Sequence, residues 1–133
     1  MIVVDTNVVV HLFVPGDRTA DAERVYRRDP EWAVPSLWRS ELANTLVTLV
    51  RAGRMRVQTA TEVMRHAEER MAPREHRVAF QRVIDLAVES GCSGYDCEFV
   101  ALAEALNTPL VTSDRRLLKA FPRIAVAPDV FAG

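Results

Sequence analysis

Four carboxylates in this chain have surroundings that suit chemistry: Asp5, Glu41, Asp96 and Asp114. Asp5 is the first polar residue after the apolar run Ile2-Val3-Val4, and Asp114 follows Leu110-Val111-Thr112-Ser113. Glu41 stands a few residues beyond Trp32-Ala33-Val34, and Asp96 opens a long apolar stretch. A carboxylate taken out of water needs a proton, a partner or a metal. Four brought together repel and raise one another's pKa, and a divalent cation is the simplest way to keep them ionised. Oxygen ligands without cysteine or histidine select Mg2+ or Mn2+ over zinc. Three of the acids also have plain structural readings. Asp5 or Thr6 suits the N-cap of a following helix, Glu41 suits a first-turn position on the helix dipole, and Asp96 suits a capping box with Ser93. The elements around them have to decide.

The spacing predicts those elements. Short strands are expected over Ile2–Val4, Trp32–Val34, His76–Ala79, Leu110–Thr112 and Ile124–Val126, each bounded by proline, a polar cluster or a helical pattern. A helix is expected to begin after Asp5 and to break at Pro15-Gly16. Others follow over Thr19–Arg28, Leu37–Ala52, Val57–Met71, Phe80 to near Gly91, Gly94–Leu106 and Arg115–Phe121. Ser36 is the expected N-cap and Gly53 the expected C′ residue of the third helix. The helix from Gly94 is apolar nearly all round, which predicts burial. Strands alternating with helices imply a parallel sheet flanked by helices, hence an α/β class. With right-handed crossovers, strand ends and the following helix starts share one edge. The four acids would then converge on a single cleft.

Composition narrows the rest. At 133 residues the chain is read as one domain, residues 1–133, with ordinary hydrophobic (49%) and charged (26%) content for a globular protein. A net charge of −1 gives no overall pull toward nucleic acid or a membrane. All basic residues but Lys119 are arginine, a planar fork suited to phosphate or carboxylate; a G+C-rich coding sequence accounts for the bias equally simply. No apolar run approaches the ~20 residues that span a bilayer, and no basic leader with a cleavage site is seen, so a soluble, cytoplasmic protein is expected. Cys92 and Cys97 lack metal-site spacing and read as reduced structural residues. His11, His66 and His76 are scattered.

The order and local sequence of the four acids resemble the PIN-domain nucleases, and most closely the toxin ribonucleases of VapBC toxin–antitoxin pairs. The matching stretches are Val4-Asp5-Thr6-Asn7-Val8, Ser40-Glu41-Leu42-Ala43-Asn44, Tyr95 to Ala103, and Leu110-Val111-Thr112-Ser113-Asp114. The resemblance implies a PIN-like α/β/α sandwich with a five-stranded parallel sheet. It implies Asp5, Glu41, Asp96 and Asp114 as the catalytic, metal-holding quartet, with Asn7, Thr112 and Ser113 as supporting polar groups. Where some members carry a further acid after the last one, this chain has Leu117 and Leu118, which bears on a second metal and not on the assignment.

A Mg2+ or Mn2+ ion in such a quartet can lower the pKa of a bound water and polarise a phosphoryl oxygen. That chemistry fits hydrolysis of an RNA or a DNA phosphodiester to 5′-phosphate and 3′-hydroxyl ends, and the resemblance implies the RNA case, a Mg2+-dependent endoribonuclease acting as the toxin of a type II toxin–antitoxin pair. Arg115 and Arg116 beside Asp114, and Arg39 near Glu41, are candidate phosphate contacts, each with ordinary surface charge as the alternative. The resemblance further implies an RNA substrate, a cognate antitoxin seated in a groove of the helices Leu37–Ala52 and Val57–Met71, and a homodimer. The competing readings are a degenerate PIN-fold binding module, a Mg2+-binding phospho-acceptor receiver domain, and a haloacid-dehalogenase-type phosphatase. The receiver needs an acid pair after its first strand and a lysine after its last, and the phosphatase needs a second aspartate where Asn7 stands.

Overall fold

The strands are short and pair side by side in one direction, and the three central ones are apolar and buried. The computed structural model describes residues 1–133. Strand β1 (Ile2–Val4) pairs with β2 (Trp32–Pro35) on one side and β4 (Leu110–Val111) on the other, in the registers Val3 to Ala33 and Val3 to Leu110. Strand β3 (Glu75–His76) adds outside β2, and β5 (Ala125–Val126) outside β4. The result is a five-stranded parallel sheet in the order β3-β2-β1-β4-β5. Every residue of β1, β2 and β4 is buried, as expected where helices cover both faces of a parallel sheet.

The helices are α1 (Thr6–Phe13), α2 (Thr19–Arg28), α3 (Trp38–Arg51), α4 (Val57–Met71), α5 (Phe80–Ser90), α6 (Gly94–Leu106), α7 (Arg115–Ala120) and α8 (Pro128–Ala132). Helix α6 lies against β1, β2 and β4, with α5 packed outside it. Phe99, Val100, Leu102 and Ala103 of α6 are fully or almost fully buried, so its all-round apolar pattern does mark a core helix. Helices α1, α2 and α8 pack together, and α3 and α4 form an antiparallel pair beside them. That pair turns at Gly53, whose φ of 72° is left-handed; the Gly53 amide donates to the Val50 carbonyl and the Arg54 amide to that of Leu49. These are the two bonds of a Schellman ending.

Several local expectations differ from the structure. Ser36 does not cap α3: Leu37 occupies the cap position and no side-chain cap bond forms. Strand β3 lies at Glu75–His76 rather than His76–Ala79, because a 3-10 turn (Ala72–Arg74) carries the chain from α4 into register with Val34 and Pro35. Thr112 stands just past β4, its amide still donating to the Val126 carbonyl at 3.0 Å. Pro128, read as a strand stop, also opens α8, where its fixed φ and missing N–H cost nothing. Cys92 and Cys97 are buried free thiols.

Candidate functional site

Asp5 sits where β1 ends and α1 begins. It is the N-cap residue of α1, yet its carboxylate reaches only the neighbouring Thr6 amide, at 2.8 Å through Oδ1. The other oxygen, Oδ2, accepts from the Thr112 hydroxyl at 2.7 Å and the Asn7 side-chain amide at 3.2 Å. The N-cap reading of this residue therefore holds, while its second oxygen is taken by side chains from elsewhere in the chain. Asp5 is only 6% exposed, and burial pushes its carboxyl from an ordinary 3.8 up to about 6. The Thr112 and Thr6 hydrogen bonds pull the other way, and the nearby Glu41 and Asp96 charges add to the rise.

The network that holds Asp5 also places the residues around it. Thr112 is fully buried; its hydroxyl accepts from the Asp114 amide at 3.0 Å while donating to Asp5. Asn7 Oδ1 accepts from the Ser113 amide at 3.2 Å. Asn7 and Thr112 thus tie the end of β1 to the loop after β4. Asp114 caps α7, accepting from the Arg116 amide at 2.8 Å and the Leu117 amide at 3.3 Å. Of Leu117 and Leu118, which follow the last acid, Leu117 is fully buried core.

Glu41 lies in the first turn of α3, half-buried, with Oε1 accepting from the Thr6 hydroxyl at 2.6 Å. Burial raises its pKa, the Thr6 bond opposes the rise, and Asp96 adds to it. Asp96 lies in the first turn of α6. Only half of the expected capping box forms: the Ser93 hydroxyl accepts from the Asp96 amide at 3.0 Å, and the Asp96 carboxylate bonds to nothing in return. That carboxylate is left for the cleft. Its pKa is raised by burial and by Asp114, with the Ser93 bond and Arg116 opposing.

All four acids line one cleft of about 460 Å³ at the carboxyl edge of the sheet, together with Thr6, Asn7, Ser40, Asn44, Thr45 and Tyr95. No three of them are gathered tightly enough, as the side chains stand, to form a metal cage. No lysine or arginine lines the cleft. A smaller, apolar hollow of the surface, about 360 Å³, lies between α3 and α4, away from the acids.

Two expectations about supporting residues are corrected. Arg39 is not in the cleft. Its guanidinium pairs with Glu75 of β3 and Glu68 of α4 and lies over the Trp38 ring, so it joins three elements and is not free for a phosphate. Ser113 contributes its amide to Asn7, but its hydroxyl is buried without a partner and borders a separate hollow with His11, Arg18 and Asp21. Arg115 and Arg116 are exposed at the start of α7, and only Arg116 is close enough to lower the Asp96 pKa. The sequence reading missed the Thr6 hydroxyl as the link to Glu41, and it missed Glu98, whose burial and nearness to Glu41 raise its pKa. Thr6 had a signal, a hydroxyl beside the strand-end acid. Glu98 had one too, a second acid two residues past Asp96 in the first turns of the same helix.

The chain matches the PIN domain family over residues 2–125. It is 32% identical over 126 residues to Ribonuclease VapC3 of Pyrobaculum aerophilum, an alignment spanning 92% of this chain and 96% of that protein. It is 36% identical over 86 residues to Ribonuclease VapC9 of Mycobacterium tuberculosis, covering 63% and 65% of the two chains. A crystal structure of a Pyrobaculum aerophilum protein superposes with a TM-score of 0.78 at 23% identity, covering 98% of this chain and 92% of that one.

Proposed function

From the premise that this chain belongs to the PIN-domain family, with VapC-type ribonucleases among its relatives, we propose that it is a metal-dependent endoribonuclease and the toxin of a toxin–antitoxin pair. The single observation that carries the reading is that Asp5, Glu41, Asp96 and Asp114, far apart in sequence, line one cleft that no basic side chain neutralises. Such a site is incomplete in itself. The donors fit a hard divalent cation: all are oxygens, the Asp96 carboxylate has no competing hydrogen bond, and Asp5 stays protonated to an unusually high pH in the cation's absence. Closing on an ion requires side-chain movement, and the unbonded Asp96 carboxylate is the one free to make it.

A bound Mg2+ or Mn2+ would supply Lewis acidity toward a phosphoryl oxygen and a water, the chemistry that leaves 5′-phosphate and 3′-hydroxyl ends. The protein's own share is positioning. Thr112 and Asn7 hold the Asp5 carboxylate from one side, and Thr6 holds Glu41, so two of the acids keep fixed orientations without any ligand. Arg116 at the rim is the nearest cation to offer a phosphate. The α3–α4 groove, lined by Leu46, Val47, Val50, Val57 and Met64, is the surface for an antitoxin segment, and the active form is a homodimer. No helix is long and apolar enough to cross a membrane; the working compartment is the cytoplasm.

The test is cleavage of end-labelled RNAs with Mg2+, with Mn2+ and with EDTA, beside Asp96→Asn. Metal-dependent products with 5′-phosphates, absent from the variant, are expected. Cleavage that persists in EDTA would overturn the metal reading. Absence of any cleavage by a protein that still binds RNA would mark a binding module.

A further inference from the structure

Beside the acid cleft, at the same edge of the sheet, lies a second and more capacious hollow of about 610 Å³. It is formed where β2 and β3 end and α5 begins, and α6 closes it from the cleft side. Its chemistry differs from the cleft's. It holds a cation, Arg77, with no ion-pair partner, and an aromatic ring, Phe80, that is 61% exposed although apolar. It also holds Glu98, half-buried yet without any hydrogen bond or salt bridge, and the exposed His76. By contrast Glu75, which also borders it, is fully engaged by Trp38 and Arg39. Glu98 joins the two hollows, since it lines this one while the charge of Glu41, in the other, is felt at it.

These groups have the makings of recognition for an unpaired base. Single-stranded RNA is read by stacking bases on aromatic rings and by hydrogen bonds to their exposed edges. A carboxylate accepts from an exocyclic amino group, which cytosine, adenine and guanine carry and uracil lacks. A free arginine beside the ring suits the adjoining phosphate. The acid cleft itself offers no cation for the polyanion, whereas Arg77 lines this neighbouring hollow and Arg116 lies near Asp96.

Building on the ribonuclease reading, we propose that this hollow is a nucleobase subsite: an unpaired base next to the scissile phosphate stacks on Phe80, beside Arg77, and donates its amino group to Glu98. The subsite would give the enzyme a preference for amino-bearing bases over uracil at that position.

The experiment is fluorescence anisotropy of labelled short oligocytidylate and oligouridylate with the intact protein in EDTA, for the wild type, Phe80→Ala and Glu98→Gln. Thermal melts confirm that the variants fold, and sedimentation gives their oligomeric state. The wild type should bind oligocytidylate more tightly than oligouridylate. Phe80→Ala should weaken both by roughly ten-fold or more, the scale of one lost base stack, and Glu98→Gln should remove most of the difference between them. Unchanged affinity and preference in both variants would overturn the proposal. So would a change of oligomeric state in Phe80→Ala, because the ring would then belong to a subunit contact with Ile84 and Val88, which are also exposed on α5. A wild type that binds neither oligonucleotide would refute the subsite as well; cleavage of longer RNA by the same preparation would leave the nuclease reading intact.

Discussion

The acid cleft makes a quantitative demand on stability that pH can expose. Asp5 titrates near 6 in the folded protein against an ordinary 3.8. Between those two values the folded state binds the proton and the unfolded state does not, so stability falls as pH rises. The stabilisation is fully present below about pH 4 and lost above about pH 6. At ~1.4 kcal/mol per pH unit, that gap makes Asp5 alone worth up to about 3 kcal/mol, and its near-complete burial means that solvent does not discount the figure. For a chain of this length the loss corresponds to roughly 10 °C in Tm.

Glu41 and Asp96, whose pKa values are also raised, push stability in the same direction with pH. His11, whose pKa is lowered by burial, pushes the other way, since it must gain a proton in the unfolded chain first. The lowered carboxyls of Asp29 and Glu104 act in more acid solution, through and below the ordinary carboxylate range. The assay that isolates Asp5 is therefore a difference: thermal melts in EDTA from about pH 4 to pH 7, wild type minus Asp5→Asn. The wild type should lose stability relative to the variant across that window by about 3 kcal/mol. The variant's absolute Tm is a poor guide, because asparagine presents a donor where Asp5 Oδ2 accepts from Thr112 and Asn7. A difference curve that is flat, or that rises with pH, would refute the burial and repulsion argument for the whole cleft.

Asp96→Asn gives the cleanest relief of repulsion, since its carboxylate has no hydrogen bond to lose. It should raise the metal-free Tm at neutral pH while abolishing RNA cleavage, and a lower Tm in calorimetry would contradict the clustering of charge. Titrating Mg2+ or Mn2+ should raise the wild-type Tm more at about pH 7.5 than at about pH 5, where protons compete for the same oxygens; Asp5→Asn should respond little at either pH. Thr112→Val should cost about 1–3 kcal/mol in chemical denaturation, because the Asp114 amide and Asp5 Oδ2 each lose a buried partner. Arg39→Ala should leave RNA affinity unchanged and cost less than about 1 kcal/mol, as expected of a half-exposed ion pair.

What was legible in the sequence is what local chemistry decides. The buried strand Ile2–Val4, the left-handed glycines at 53 and 91, and the Ser93 cap all depend on residues within a turn of one another. From strand ends alone, the positions of Asp5, Glu41, Asp96 and Asp114 on one edge followed by topology. Side-chain direction did not follow. Arg39 turned from the cleft because its partners, Glu68 and Glu75, lie 29 and 36 residues away in sequence. The Ser113 hydroxyl faces the α1–α2 side for a similar reason, as its amide is taken by Asn7 from 106 residues away. The helix after Pro128 was hidden because proline both ends strands and begins helices, and only packing against α2 separates the two roles.

The same division explains how the cleft can exist at all. A cluster of half-buried acids opposes folding, so it has to be fixed by the parts of the chain least free to relax. Asp5 is held by a strand end, by the first amide of α1 and by a fully buried threonine hydroxyl from the neighbouring strand's loop, each anchored in the sheet core. Glu41 is held by one further hydroxyl. Asp96 is held by its backbone only, at the start of the most deeply buried helix. The site is therefore rigid on the side of Asp5 and Glu41 and adjustable on the side of Asp96. An incoming cation would find two carboxylates oriented in advance and a third, unbonded, able to swing onto it. That asymmetry predicts which substitutions are separable. Losing Thr112 disturbs stability and the site together, whereas losing the Asp96 charge takes away the site's chemistry and leaves the fold more stable than before.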